Sequence, residues 1–136
     1  MKVVIIDGQG GRIGQLLVEK IKEADLACEM IVIGTNSAAT AAMLKAGADK
    51  GATGENPVLV ACRDADVIVG PLGIIAADSL MGEITDRMAA AVARSSATKL
   101  LLPVNMCNKI VAGTRSMTMS ALINEAVTQL KELVTA

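Results

Sequence analysis

The chain has 136 residues, a net charge of −1 and no Phe, Tyr or Trp, although 52% of its residues are hydrophobic. Its length suits one domain with a sizeable core, which has to be built from aliphatic residues and methionine. A net charge of −1 gives no general electrostatic attraction for nucleic acid, and a chain without aromatic residues cannot stack bases on aromatic rings. We therefore expect no nucleic-acid partner.

Location and metal binding follow from other features of the composition. No apolar run reaches the ~18 residues of a membrane span, and a strand-like run stands where a signal peptide would begin. The cysteines Cys28, Cys62 and Cys107 lie far apart and form no CxxC pair, which is typical of reduced cytosolic thiols. Histidine, the commonest metal ligand and general base, is absent. We expect a cytoplasmic protein without membrane contact and without a metal site.

The stretch from Val3 to Gly14 predicts a strand, a glycine turn and a helix in direct succession. Four apolar residues suit a strand buried on both faces, and apolar residues then recur at helical spacing. Such a turn leaves backbone N–H groups at a helix N-terminus, where the macrodipole favours anions. We expect Gly8 to take a positive φ, Gly10 and Gly11 to leave room for a phosphate, and Gly14 to let the helix approach the strand. The predicted ligand-binding residues of the turn are Asp7, Gly8, Gln9, Gly10, Gly11, Arg12, Ile13 and Gly14.

The glycines of this turn follow the pattern G-x-x-G-x-x-G in the segment GQGGRIG. The segment resembles the glycine signature of dihydrodipicolinate reductases, which bind nicotinamide dinucleotides. The resemblance implies an NADP or NAD site, and it ends with the turn because the histidine chemistry of that family has no counterpart here. The alternative is a turn in which glycine serves tight packing alone. Asp7 has two interpretations as well: it orients Arg12 or a ligand hydroxyl, or it forms an Asx turn.

Along the rest of the chain, strands alternate with helices, which indicates an open parallel sheet with right-handed crossovers. The predicted fold is α/β, a single Rossmann-like domain with a mostly parallel sheet of about six strands and helices on both faces. The predicted elements after the first strand are helix 11–24, strand 28–33, a helix capped by Asn36 or Ser37 that stops at Gly47, strand 49–53, helix 55–63, strand 67–70, helix 86–95 capped by Thr85, strand 100–104, strand 110–112 and a helix capped by Ser120 that ends near 134.

Polar segments leave the carboxyl ends of these strands, where open α/β sheets bind ligands. Thr35, Asn36 and Ser37 fall where a dinucleotide fold binds the adenosine ribose, and no acid stands among them. Two hydroxyls and an amide at a helix N-terminus favour a ribose 2′-phosphate, so we expect NADP to bind more tightly than NAD. A helix cap with nothing bound is the alternative. The other predicted cofactor-binding residues are Gly70, Pro71, Gly73 and Asn105.

Four residues are weak candidates for catalysis, and whether the protein is an enzyme stays open. Asp78 and Glu83 lie in the loop after the fourth strand and suit an acid and a base, while solvated or capping carboxylates are the alternative. Asn105 either fixes its loop or binds a ligand carbonyl or amide. Cys107 is a nucleophile only where a cation lowers its pKa, and a semi-buried structural thiol is the alternative.

The loop from 71 to 83 contains the apolar run LGIIAA, which is unusual for a loop. Such a run either covers the sheet or belongs to a subunit interface, and we favour a homodimer.

The whole chain resembles a family of short Rossmann-like bacterial proteins described as a domain of unknown function. This resemblance implies the fold and the extent of the domain, and no reaction. We expect a binding or sensing module for a small phosphate-bearing ligand, NADP or NAD. Two alternatives stay open: a small enzyme acting on a phosphorylated or nucleotide substrate, and a structural or partner-binding protein with a vestigial site. The segments that carry the resemblance are IDGQGGRIG, GTNSAATAAMLKAGAD, GATGEN, RDADVIVGPLGI and PVNMCN.

Overall fold

A parallel sheet forms the centre of the computed structural model, which describes residues 1–104, 106 and 108–136. The strands are β1 (Lys2–Asp7), β2 (Glu29–Gly34), β3 (Lys50–Thr53), β4 (Val67–Pro71) and β5 (Thr98–Leu102). Their order in the sheet is β3-β2-β1-β4-β5, which is the Rossmann order without its sixth strand. All four neighbouring pairs are parallel, so the carboxyl ends of all five strands meet at one edge.

Helices cover both faces of this sheet. They are α1 (Arg12–Glu23), α2 (Ser37–Ala46), α3 (Glu55–Ala61), α4 (Asp86–Arg94) and α5 (Met119–Thr135), with a short 3₁₀ helix at Leu72–Ile75. Because side chains alternate along a strand, Val3 and Ile5 of β1 join the core under α1, α2 and α5, whereas Val4 and Ile6 join the core under α3 and α4. None of the helices in the described part of the chain is long and apolar enough to cross a membrane.

The structure confirms the α/β class and the parallel sheet with helices on both faces, and it corrects the number of strands. Residues 110–112 form no strand; Ile110 is 95% exposed, so no sheet face buries it. The last helix begins earlier than predicted, because the N-cap is Thr118, whose Oγ1 accepts a hydrogen bond from the N–H of Ala121 at 3.1 Å. Thr85 caps α4 as predicted.

The apolar loop after β4 packs on its own sheet. Ile74 and Ile84 are fully buried and Leu80 is nearly so, and all three belong to the core under α3 and α4. Ile75 and Met81 of the same loop remain exposed. Covering of the sheet thus accounts for Ile74 within the run LGIIAA, and the homodimer stays a prediction.

Gly14 allows α1 to approach both its neighbours. A Cβ at this position would collide with the Sδ of Met43, which is fully buried in α2. It would also lie 2.8 Å from the Cγ of Met43 and 3.1 Å from the Cβ of Asp7. The predicted close packing on β1 is therefore confirmed, and it extends to α2.

Replacing Gly14 with valine should lower the free energy of unfolding by about 1–3 kcal/mol, because overpacking forces Met43 and the backbone apart. Gly10→Val is the matched control, since a Cβ at Gly10 meets no atom within 4 Å. This substitution should lower the free energy of unfolding by no more than ~0.5 kcal/mol. Urea unfolding of the parent and both variants measures the difference. A Gly14→Val protein as stable as the parent would contradict this account of how α1 is seated.

Candidate functional site

Asp7, the last residue of β1, holds the glycine turn from below. Its side chain is buried, and its two carboxylate oxygens accept hydrogen bonds from the N–H groups of Gly8 and Gly14, each at 2.8 Å. Burial raises the pKa of this carboxyl, and the backbone N–H groups act against that rise. Among the ion pairs of the described residues, none joins Asp7 to Arg12. The carboxylate therefore shapes the turn.

The glycines of the turn differ in their surroundings. Gly11 has a φ of 74°, and a Cβ there would lie 2.7 Å from the Cα of Ala39, so this glycine serves the contact with α2. The prediction of a positive φ at Gly8 is wrong, because the residue with a positive φ at this point of the turn is Gln9, whose φ is 51°. Gly10 is exposed, and a Cβ there would meet nothing within 4 Å. Of the two glycines expected to leave room for a phosphate, Gly10 has open space beside it.

The carboxylate of Glu83 lies against the turn, where β1 and β2 end. Its Oε1 accepts three hydrogen bonds, from the N–H of Gln9 at 2.8 Å, Thr35 Oγ1 at 2.5 Å and Asn36 Nδ2 at 3.0 Å. A Cβ on Gly8 would lie 2.6 Å from the same oxygen, which explains a glycine at a position of ordinary φ. Burial acts to raise the pKa of Glu83, but the hydrogen bonds from these donors outweigh burial and lower the pKa.

This contact brings a carboxylate to the end of β2. The segment after β2 contains no acid of its own, and Glu83 supplies one from a loop 48 residues beyond Thr35. The hydroxyl of Thr35 and the amide of Asn36, expected to bind a 2′-phosphate, donate to that carboxylate instead. Asn36 also caps α2, since its Oδ1 accepts a hydrogen bond from the N–H of Ala39 at 2.9 Å. Ser37 is the exposed first residue of α2.

A cavity of about 200 Å³ opens at the glycine turn and is lined by residues 7–13 and Met119. A second cavity, of about 270 Å³, lies between α1 and α5 and shares Arg12 and Met119 with the first. The N-termini of both helices border this space, and neither carries an acidic residue in its first turn. Arg12 is exposed and forms none of the ion pairs among the described residues. Helix N-termini and a guanidinium both favour a bound anion.

The remaining predicted site residues lie elsewhere. Gly70 and Pro71 belong to β4 and Gly73 to the 3₁₀ helix; all three are buried, and none lines either cavity at the turn. The side chain of Asp78 is exposed. Its backbone N–H stabilises the loop by donating a hydrogen bond to the carbonyl of Ile84 at 2.7 Å. No hydrogen bond in the described part of the chain joins the side chains of Asp78 and Glu83.

Asn105 and Cys107 lie outside the described residues. Met119, which lines both cavities, was absent from the predicted site. No sequence signal marks it, because it reaches the turn only through the return of α5 to the face of α1. In residues 1–104, 106 and 108–136, no group of three or more Cys, Asp or Glu side chains is placed to hold a metal ion.

A larger cavity, of about 520 Å³, lies at the ends of α3 and α4 and is lined in part by Cys62, Arg63 and Arg94. These helices end near the amino ends of β4 and β5, so this cavity faces the edge opposite the glycine turn. Helix C-termini disfavour anions. Burial raises the pKa of Cys62 to about 11, so its thiol stays protonated at neutral pH. The glycine turn is therefore the stronger candidate site.

Replacing Glu83 with glutamine should lower the free energy of unfolding at pH 7 by about 1 kcal/mol, because charge-assisted hydrogen bonds at a partly exposed carboxylate are lost. Since folding lowers this pKa from 4.5, the stabilisation is complete above that value and disappears as the pH falls through the folded-state pKa. Urea unfolding from pH 7 to about pH 3 tests this. Asp78→Asn is the control, because it removes an exposed carboxylate from the same loop. A difference in the free energy of unfolding between the parent and Glu83→Gln that does not change with pH would contradict the assignment.

Comparison with known proteins identifies the family. A search of curated proteins found no match. Among solved structures, the chain is similar to a dodecameric FMN-dependent UbiX-like decarboxylase from Escherichia coli O157:H7, at 13% identity and a TM-score of 0.45, over 100% of this chain and 96% of that one. The family model described as a domain of unknown function, DUF3842, matches residues 2–135, which confirms the resemblance drawn from the sequence. The chain belongs to the DUF3842 family.

Proposed function

We propose that this protein is a binding or sensing module for a phosphate-bearing nucleotide, either NAD or NADP, with the phosphates at the glycine turn. The observation that carries the proposal is the cavity beside Gly10, which is bordered by the N-termini of α1 and α5 and by the guanidinium of Arg12. Two helix N-termini and a cation at one cavity offer three sources of attraction for a phosphate.

The backbone of α1 supports this placement. The first N–H groups of a helix have no intrahelical acceptor. Gly11, the N-cap residue of α1, has no side chain to cap them, and Asp7 accepts the hydrogen bond from the N–H of Gly14. Arg12 and Lys20 both line the cavity between α1 and α5. A guanidinium binds phosphate oxygens through two parallel hydrogen bonds. A diphosphate at Gly10 would therefore meet backbone donors on one side and cationic side chains on the other.

The chemistry of the nearby carboxylates favours binding over catalysis. Asp7 is buried, with both oxygens on backbone N–H groups. Glu83 has a lowered pKa, so it stays ionised at neutral pH and suits an acceptor of hydrogen bonds better than a general acid. The enzyme alternative would depend on Asn105 and Cys107, which lie outside the described residues. The cytoplasmic location predicted from the cysteines remains a prediction.

Gly10→Val and Arg12→Gln should each weaken NADH binding by roughly 5- to 30-fold, the equivalent of ~1–2 kcal/mol, because one blocks the phosphate approach and the other removes its cation. Arg63→Gln is the matched control, because this arginine lines the cavity at the opposite edge. Calorimetric titration of NADH into the parent and the three variants measures the effect. Parent-like affinity in both site variants would rule out the glycine turn, and a larger loss in Arg63→Gln would move the site to the other cavity.

We also propose that Ile75 and Met81, which are 38% and 90% exposed, form part of a homodimer contact. Ile75→Glu would place a charge in that interface, so light scattering should report a monomer where the parent is a dimer. Val60→Glu, at a position 46% exposed on α3, should leave the dimer intact. A parent protein that is monomeric at micromolar concentration contradicts this proposal.

A further inference from the structure

We infer that Glu83 forms the subsite for the ribose hydroxyls of the bound nucleotide and that it excludes a ribose carrying a 2′-phosphate. The inference rests on the proposed function, because it concerns the part of the ligand next to the phosphates. It also reverses the preference for NADP that the sequence predicted.

The side chain of Glu83 is fixed through one oxygen only. Oε1 accepts the hydrogen bonds from Gln9, Thr35 and Asn36. None of the described residues donates a hydrogen bond to Oε2, and the side chain is only partly buried. A carboxylate anchored in this way loses little conformational freedom when its second oxygen accepts a hydrogen bond from a ligand. Hydroxyl groups of a ribose are donors of the kind that this oxygen requires.

The position of Glu83 matches the path of a nucleotide away from the turn. Both polar backbone groups of Gln9 form hydrogen bonds in this region. Its N–H donates to Glu83, and its carbonyl accepts a hydrogen bond from Asn36 Nδ2 at 2.8 Å. Glu83 is therefore in contact with the residue that precedes Gly10, on the side of the turn that faces β2. In dinucleotide-binding folds, the ribose follows the diphosphate toward the end of β2, where an acid accepts hydrogen bonds from its hydroxyl groups. Here the acid comes from the loop before α4 instead of from β2.

A 2′-phosphate would meet an unfavourable environment at this position. The donors at the end of β2, the Thr35 hydroxyl and the Asn36 amide, are already bonded to Glu83. Its carboxylate carries a negative charge at neutral pH, and the hydrogen bonds from these donors lower its pKa further. The charge of a phosphate would face that carboxylate, and like charges at short range repel. Arg12, the cation of the site, lines the cavities at α1 and α5.

Calorimetric titration of NADH and of NADPH into the full chain at pH 7.5 tests the inference. The parent should bind NADH roughly tenfold more tightly than NADPH, the scale of one hydrogen bond to a charged group. Glu83→Gln should abolish this ratio, by weakening NADH binding and strengthening NADPH binding. Thr35→Val, which removes a donor that positions Oε1, should reduce the ratio without abolishing binding. Asp78→Asn should keep the parent ratio.

The outcomes separate the two proposals. Equal affinity of the parent for NADH and NADPH, or tighter NADPH binding, overturns the role of Glu83 and leaves the phosphate site in place. An unchanged ratio in Glu83→Gln also overturns it. Binding of neither dinucleotide by the parent refutes the dinucleotide proposal, and the inference falls with it.

Discussion

A buried carboxylate with its oxygens on two backbone N–H groups ties the end of β1 to the first turn of α1. Asp7 accepts hydrogen bonds from Gly8 and Gly14, which stand on either side of the glycine turn. This closure bends the chain sharply enough to bring the N-terminus of α1 over the end of the central strand. It also requires a small residue at Gly14, because the Cβ of Asp7 and the side chain of Met43 leave no space there. The orientation of the turn depends on this interaction.

A second carboxylate determines the charge on one side of the turn. Glu83 reaches the turn because the loop after β4 folds back over the sheet, with Leu80 and Ile84 buried beneath it. Its contacts with Thr35 and Asn36 hold it on the side of the turn that faces β2 and place a negative charge there. The opposite side, toward α5, carries Arg12 and two helix N-termini. The site is thus positive at one end and negative at the other, which suits a ligand with a phosphate beside a polyol.

The sequence predicted the features that depend on local patterns. Strand β1, the glycine turn and α1 follow from apolar runs and glycine spacing, and the alternation of strands with helices predicts the parallel sheet. The contact of Glu83 with Thr35 could not be predicted, because it joins loops 48 residues apart and no local pattern encodes such a distance. The prediction of a strand at 110–112 was wrong for a related reason. A short apolar run forms a strand only where a neighbouring strand of the sheet can pair with it, and Ile110 is almost fully exposed instead.

We propose that the backbone at Gly10 to Arg12 binds the phosphates of a nucleotide. Backbone amide NMR of the ¹⁵N-labelled chain, recorded during a titration with NADH, tests this binding site. We expect the largest shift changes at the amides of Gly10, Gly11 and Arg12. The largest changes at Ser95 and Ser96, beside the cavity at the opposite edge, or no changes at saturating NADH, would contradict the account.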